Sequence, residues 1–176
     1  MNLKKQNKPV VNLTYLDTEM GLMIACANEK GICMFEFSDY KHTDLQLSQL
    51  SKTFKAPLVE GENPHFDTLR KQLNEYFKGE RKDFDIPLDL VGTDFQKEVW
   101  MSLLQIPYGT TISYGEQARR IGRPKSVRAV ANANGKNKIS IILPCHRVIG
   151  SDGKLTGYGG GLWRKEKLLE FEKQNL

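Results

Sequence analysis

The chain is short of cysteine and of long apolar runs, and each shortage narrows what it can be. Three cysteines, Cys26, Cys33 and Cys145, stand among 176 residues. An odd, small number of this kind is not a disulfide framework. Cys26 and Cys33 could mimic a metal pair, but their spacing does not fit a zinc knuckle and only His42 and His65 lie nearby. Two buried thiols on neighbouring strands is the plainer reading, and no metal is expected. No apolar run approaches the roughly 18 residues that a membrane helix needs, so no membrane association is expected. The start, Met1 to Pro9, has lysines with no apolar stretch behind them, which argues against a secretory signal. The expected location is the cytoplasm. Repeats and low-complexity segments are also missing.

What is present is an ordinary globular mixture, 39% hydrophobic and 27% charged. The net charge of +5 is unevenly spread. Residues 1–91 hold 12 Lys/Arg against 14 Asp/Glu, a balance of −2, whereas residues 92–176 hold 14 against 7, a balance of +7. A basic half joined to a mildly acidic one points weakly to nucleic acid; a solvated basic face explains the charge alone equally well.

Hydrophobic periodicity divides the chain at Asp89-Leu90-Val91-Gly92, giving expected domains of 1–91 and 92–176. In the first, Val10–Leu16, Leu22–Ala27 and Ile32–Phe37 read as an antiparallel meander. A helix is expected over 42–54, and a second one begins at Asn63-Pro64, with proline in its first turn, and runs to Gly79. Alternating Phe84, Ile86 and Leu88 predict a last strand. In the second domain, Thr93 caps a helix that carries Phe95, Val99, Trp100 and Leu103, with Pro107 as its stop. Ser113 caps a short helix through Ile121, Gly122-Arg123-Pro124 breaks it, and Lys125–Asn134 forms another. Two short helices across a glycine-containing turn predict a helix-turn-helix. Ile139–Leu143 reads as a strand leading to Pro144-Cys145-His146-Arg147. A glycine-rich loop, Gly150–Gly161, precedes a final helix, Leu162–Lys173.

Cys145 is the candidate for chemistry. It lies far from the other thiols and directly before His146 and Arg147, and neighbouring cationic or basic groups increase a cysteine's thiolate share. In the final helix Lys165, Leu168, Leu169 and Glu172 share a face. Docked by its leucines, that face would bring Lys165 and Glu172 beside the Cys–His pair, and Glu172 would orient His146 in a nucleophile–base–orienter arrangement. Charges at helical spacing are more often simply solvated. In the second helix of the helix-turn-helix, Ser126, Ala129, Ala131 and Ala133 are small enough for close approach to a nucleic-acid groove. Arg128 stands among them as a side chain able to enter a base stack, although a surface arginine on a good helix is the blander reading.

Dispersed stretches then carry a specific resemblance. Phe95-Gln96, Val99-Trp100, Ile106-Pro107-Tyr108-Gly109-Thr110-Thr111, Ser113-Tyr114-Gly115, Arg128-Ala129-Val130 and Asn137 come first. Pro144-Cys145-His146-Arg147-Val148, Gly157-Tyr158, Gly160-Gly161-Leu162 and Lys165 to Glu172 follow in order. Together, residues 93–172 resemble the O6-alkylguanine-DNA alkyltransferases (methylated-DNA–protein-cysteine methyltransferases). Residues 1–91 fit that family's variable N-terminal domain only by their pattern of strands and helices.

The resemblance implies an α/β N-terminal domain, an antiparallel sheet with helices of ribonuclease-H-like kind. It also implies a mainly α C-terminal domain with a winged-helix-like helix-turn-helix. The activity implied is direct, single-turnover transfer of an alkyl group from O6-alkylguanine in double-stranded DNA to Cys145, the base being flipped out and no cofactor used. His146 would act as base through a water, with Glu172 as its partner, and Asn137 would brace the turn before the acceptor. Arg128 would fill the gap left by the base, with Ser126 and Ala129 lying against the DNA. Tyr114 would crowd the target phosphate and help to protonate the departing guanine. Tyr158 and the backbone of Val148 and Gly159 would form the base pocket, with Lys165 as a nearby cation. A monomer is expected, with clustering on DNA left open.

Many members have prolines after Asn137. Lys138 and Ser140 stand here instead, so a looser pocket rim is expected. Two rivals differ in class: an alkyltransferase-like binder, which would lack the cysteine, and a Cys-His-Glu hydrolase, which would turn over where an alkyltransferase stops at one event.

Overall fold

The computed structural model describes residues 8–176. The lysine-bearing first residues, on which the reading of a leader turned, lie outside them. Strand-forming residues and turn chemistry build the first half. β1 (Val11–Thr18), β2 (Gly21–Ala27) and β3 (Ile32–Phe37) pair as the expected antiparallel meander. The β2–β3 turn is held by Asn28, whose Oδ1 accepts from the amides of Lys30 and Gly31 at 2.9 and 3.2 Å, the local bonding that makes asparagine a turn residue. α1 (Thr43–Phe54) covers one face of the sheet, where Leu50 packs with Ile24, Cys26, Cys33 and Met34. Cys26 and Cys33 are thus buried on neighbouring strands, and burial raises both thiols above their usual range.

β4 (Leu58–Glu60) was not legible in the sequence: three residues are too few to alternate. It pairs parallel to β1, giving the order β3-β2-β1-β4. α2 (Pro64–Phe77) starts as its sequence predicts, with Pro64 in the first turn and Asn63 Oδ1 accepting from the His65 amide at 3.0 Å.

Two expected strands are not strands. Phe84–Leu88 is extended but makes one isolated bridge, Leu88 to Ile32. Ile32 N–H donates to Pro87 O and Asp89 N–H to Ile32 O, each at 2.9 Å; Pro87 has no N–H for the preceding rung. Ile139–Leu143 bridges β3 only at Ile139 and then turns, with Leu143 N–H bonded to Ile139 O at 3.1 Å and Ile141 at φ 70°. Its apolar run reflects burial on all sides: Ile139, Ile141, Ile142 and Leu143 are all in the core. Where a looser rim was expected from Lys138 and Ser140, the segment is bonded to β3 on both sides of Ile139. Phe35 N–H donates to Lys138 O at 2.8 Å, and Ser140 N–H, which a proline would lack, donates to Phe35 O at 2.7 Å. This segment therefore extends the sheet along the free edge of β3.

The second half is mainly helical. α3 (Asp94–Leu103) opens on a full capping box between Thr93 and Gln96. After β5 (Ile112–Ser113), α4 (Tyr114–Arg120) is capped by Ser113 Oγ, and α5 (Val127–Gly135) follows a turn through Gly122 at φ 73°. α4 and α5 form the helix-turn-helix, packed through Val99, Ala118, Val130 and Ala133. A turn of 3₁₀ helix, Cys145–Arg147, leads into β6 (Val148–Ile149), which pairs parallel to β5, and α6 (Leu162–Gln174) closes the chain. No described helix is long and apolar enough to cross a membrane. The largest core cluster joins Phe35, Phe37 and Tyr76 to Trp100, Leu143, Val148 and Leu168. It runs straight through the expected break at 91/92.

Candidate active site

Cys145 sits on the 3₁₀ turn that follows the 139–143 bend. Asn137 shapes that bend. Its Oδ1 accepts from Ile139 N–H at 2.9 Å, while its Nδ2 donates to Leu143 O at 3.0 Å and to Cys145 Sγ at 3.3 Å. A single buried amide thus satisfies backbone groups that the turn leaves without ladder partners and touches the sulfur. Burial pushes the Cys145 thiol up to about 11; the bond from Asn137 and the charge of Lys165 oppose that rise, and Glu36 adds to it.

Behind the cysteine, His146 is fully buried, with Nε2 2.8 Å from Glu172 Oε1. Glu172 is fully buried too and is shared more widely than the sequence implied. Arg147 grips it with two bonds, Nε to Oε2 and Nη2 to Oε1, both 2.9 Å. Tyr76 Oη donates to Oε1 at 2.8 Å and Gly109 N–H to Oε2 at 3.1 Å. Burial alone would raise the Glu172 carboxyl, but the bonds from His146 and Arg147 outweigh it and hold the group well below the usual carboxylate range. Burial lowers His146 despite Glu172. The pair is therefore a neutral imidazole facing an ionised carboxylate, with Arg147 supplying the compensating charge. In that state Nε2 carries the proton and donates to Glu172. Nδ1 is a buried acceptor with no partner among the described residues.

A narrow cavity opens beside Cys145. Ala131, Asn134 and Gly135 of α5 form one wall, and Tyr114, Gly157, Tyr158 and Gly159 form another. Asn137, Ser140 and Glu36 complete it. Tyr114 Oη donates to Thr156 O at 3.0 Å. Lys165 is fully buried; its Nζ donates to Thr156 O at 2.8 Å and to Tyr114 Oη at 3.4 Å, and burial lowers it to about 8. The Tyr158 ring packs edge-on to Phe37, and its buried hydroxyl, close to Ser140, has no partner of good geometry among the described residues. Gly160 lets this loop close down, since a Cβ there would overlap the Phe37 ring.

The sequence-predicted residues thus separate into groups. Cys145, Asn137, Tyr114, Tyr158 and Gly159 meet at the cavity. His146 and Glu172 meet behind it, and Lys165 lies under Tyr114, near enough for its charge to act on both Cys145 and His146. The Val148 side chain lies in the core, and the residue pairs with Ile112 at the C-terminal end of the 3₁₀ turn that carries Cys145. Ser126, Arg128 and Ala129 lie at the start of α5, the latter two exposed and all three outside the cavity. Sequence reasoning gave no site role to Arg147, Tyr76, Glu36 or Ser140. Arg147 could have been found, since it adjoins the histidine. Tyr76 and Glu36 sit in an amphipathic helix and an apolar strand and gave no such signal.

With this geometry in view, similarity to known proteins is specific. The 6-O-methylguanine DNA methyltransferase DNA-binding domain matches residues 94–174, and the ribonuclease-like domain of the same family matches residues 11–90. A methylated-DNA–protein-cysteine methyltransferase of Mycobacterium tuberculosis (strain ATCC 25618 / H37Rv) is 66% identical over 102 residues, which span 58% of this chain and 62% of that protein. One of Methanosarcina barkeri is 45% identical over 161 residues, covering 92% of this chain and 96% of that protein. A crystal structure of Mycobacterium tuberculosis OGT in complex with DNA superposes with a TM-score of 0.79 at 43% identity, over 93% of this chain and 94% of that one.

Proposed function

Because the chain belongs to the 6-O-methylguanine DNA methyltransferase family, we propose that it repairs double-stranded DNA by transferring the alkyl group of O6-alkylguanine to Cys145. The observation that carries this is a thiol set at a narrow cavity next to a helix-turn-helix, with a neutral histidine and an ionised glutamate buried behind it. The lesion lies inside the duplex, so the base must leave the stack, at a cost of a few kcal/mol. Arg128, exposed on α5 near Ser126 and Ala129, fills the gap.

With its thiol near 11, Cys145 holds almost no thiolate at neutral pH and needs a base. His146 Nδ1, unprotonated and unpartnered, takes the thiol proton through one water. Sulfur attacks the alkyl carbon, the S–C bond forms and the C–O6 bond breaks, its electron pair staying on the guanine. Tyr114 gives that guanine a proton, and Lys165 beneath it restores the tyrosine. Asn137 steadies charge on the sulfur through its bond to Sγ. The thioether has no hydrolysis route, so each chain acts once. The proposed reaction uses no cofactor and is read as the work of a monomer in the cytoplasm.

Intact-mass spectrometry after incubation with DNA containing O6-methylguanine tests the proposal. One methyl on the Cys145 peptide, and none after Cys145→Ala, is expected. A methyl on Cys26 or Cys33, or continued turnover, would overturn it.

A further inference from the structure

Glu36 comes from the N-terminal sheet, yet it lines the acceptor cavity and has no place in the transfer just described. It is 1% exposed. One oxygen is committed: Oε1 accepts from Phe37 N–H at 2.9 Å and from Ser140 Oγ at 3.1 Å. Oε2 has no hydrogen-bond partner among the described residues and lies beneath the loop wall, where a Cβ on Gly159 would stand 3.6 Å from it. The edge pairing of β3 with residues 138–140 delivers the carboxyl there, on the same bend that carries Cys145. Its charge is felt at the Cys145 thiol. The part of a substrate that must come within bonding reach of that sulfur is the O6-substituent. A substituent held at that sulfur shares the cavity with Glu36.

We propose that Glu36 is a specificity-determining residue of the acceptor cavity: its free carboxyl oxygen favours O6-substituents that are small or carry a hydrogen-bond donor and disfavours larger apolar ones. This rests on the alkyl-acceptor reading above. A methyl group is small enough to leave Oε2 its water. A longer apolar chain covers the oxygen and strips that water without replacing it, a desolvation cost that polar groups impose when they are buried unpaired. A chain of equal size ending in a hydroxyl donates to Oε2 in the water's place. Sites built to receive a substrate hydrogen bond discriminate strongly against analogues that lack it. No other member of the cavity wall offers a carboxylate.

The isosteric pair 2-hydroxyethyl and n-propyl isolates this effect. Single-turnover transfer from duplex DNA carrying O6-methyl-, O6-(2-hydroxyethyl)- or O6-propylguanine would be measured for wild type, E36L and E36Q, each checked by thermal melting. The ratio of hydroxyethyl to propyl rates is expected to fall about tenfold in E36L and severalfold in E36Q, which keeps the bond to Phe37 but loses the charge. Ratios within twofold of wild type in E36Q, whether or not E36L folds, would overturn the role of Glu36. Failure of wild type to take the methyl group at all would instead overturn the alkyl-acceptor reading, so the two failures are distinguishable.

Discussion

Replacing Glu36 by Gln should stabilise the protein in a way that depends on pH. The side chain is almost completely buried. Burial raises its carboxyl to about 7, against the bonds from Phe37 and Ser140 and the charge of Arg164. In the unfolded chain it titrates near 4.3. A group whose folded value is raised contributes stability that is fully present below its unfolded value and is lost as pH rises through the folded one. Each unit is worth 1.36 kcal/mol, so between pH 5 and pH 8 the wild type forfeits about 2.5 kcal/mol that the glutamine variant does not. For a chain of this length that corresponds to roughly 5–10 °C in Tm. The assay is thermal unfolding of both proteins at pH 5, 6, 7 and 8. Subtracting one from the other cancels every group not coupled to Glu36. Among its neighbours Asp39 is held below its usual range by Arg164, and the Cys145 thiol lies well above the window. The Tm difference, E36Q minus wild type, should therefore climb with pH. A flat or falling difference would refute an ionisable, desolvated Glu36.

Three other perturbations probe the site. Glu172→Gln breaks a bidentate pair inside the core and strands Arg147, so it should cost about 3–5 kcal/mol and lower Tm by on the order of 10 °C as well as slowing transfer; an unchanged Tm would mean that the network carries no stability. Asn137→Ala leaves Ile139 N–H without its buried partner and Leu143 O with only the Cys145 amide, so it should cost about 1–3 kcal/mol, and the pH profile of Cys145 alkylation by a small thiol reagent should move upward. If neither the melting point nor that profile moves, Asn137 does not hold the turn. Arg128→Ala should impair repair of a paired duplex at saturating protein but leave transfer from the free modified base intact, because only the duplex requires extrusion; a defect that vanishes once DNA is saturated would make Arg128 a phosphate anchor instead.

Much of the scaffold was legible because it is written in local chemistry. Thr93 with Gln96, Ser113, and Asn63 with Pro64 mark three helix starts by capping groups whose partners lie two or three residues away. Cys145 and His146 were legible as neighbours, and Glu172 because Lys165, Leu168 and Glu172 recur on one helical face that is indeed buried. The misses depend on partners far along the chain. An apolar run such as Ile139–Leu143 looks the same whether it pairs in a sheet or is buried around a bend, and a left-handed isoleucine at 141 leaves no mark in composition. Glu36 is the one charged residue within the apolar run Ile32–Phe37, and nothing near it in sequence shows what it meets. That its carboxyl meets Ser140, 104 residues later, is a property of topology. Ser140 was noticed, but the bond from its N–H to Phe35 O was not foreseen, because the value of a free N–H depends on what lies opposite it.

The same long-range contacts bear on what the N-terminal half is for. An exposed sheet edge is normally blunted by charge, proline or a covering segment. On β3 the cover is the 138–140 segment itself, so the bend that presents Cys145 is fixed by bonds to Phe35. Tyr76 of α2 gives Glu172 one of its donors. Arg164 of α6 crosses back to Met20 O at 2.7 Å and to both oxygens of Asp39, with its guanidinium 4.2 Å from the Phe37 ring centre. Removing residues 1–91 would leave Ser140 N–H, Lys138 O and the Arg164 guanidinium without these partners, and buried polar groups without partners are costly. Three of the four groups that sequence reasoning left without a role, Tyr76, Glu36 and Ser140, are members of contacts that cross the break at 91/92. The candidate site is therefore built across both halves: the C-terminal half brings Cys145 and His146, and the N-terminal half holds the bend in place and adds Glu36 to the cavity.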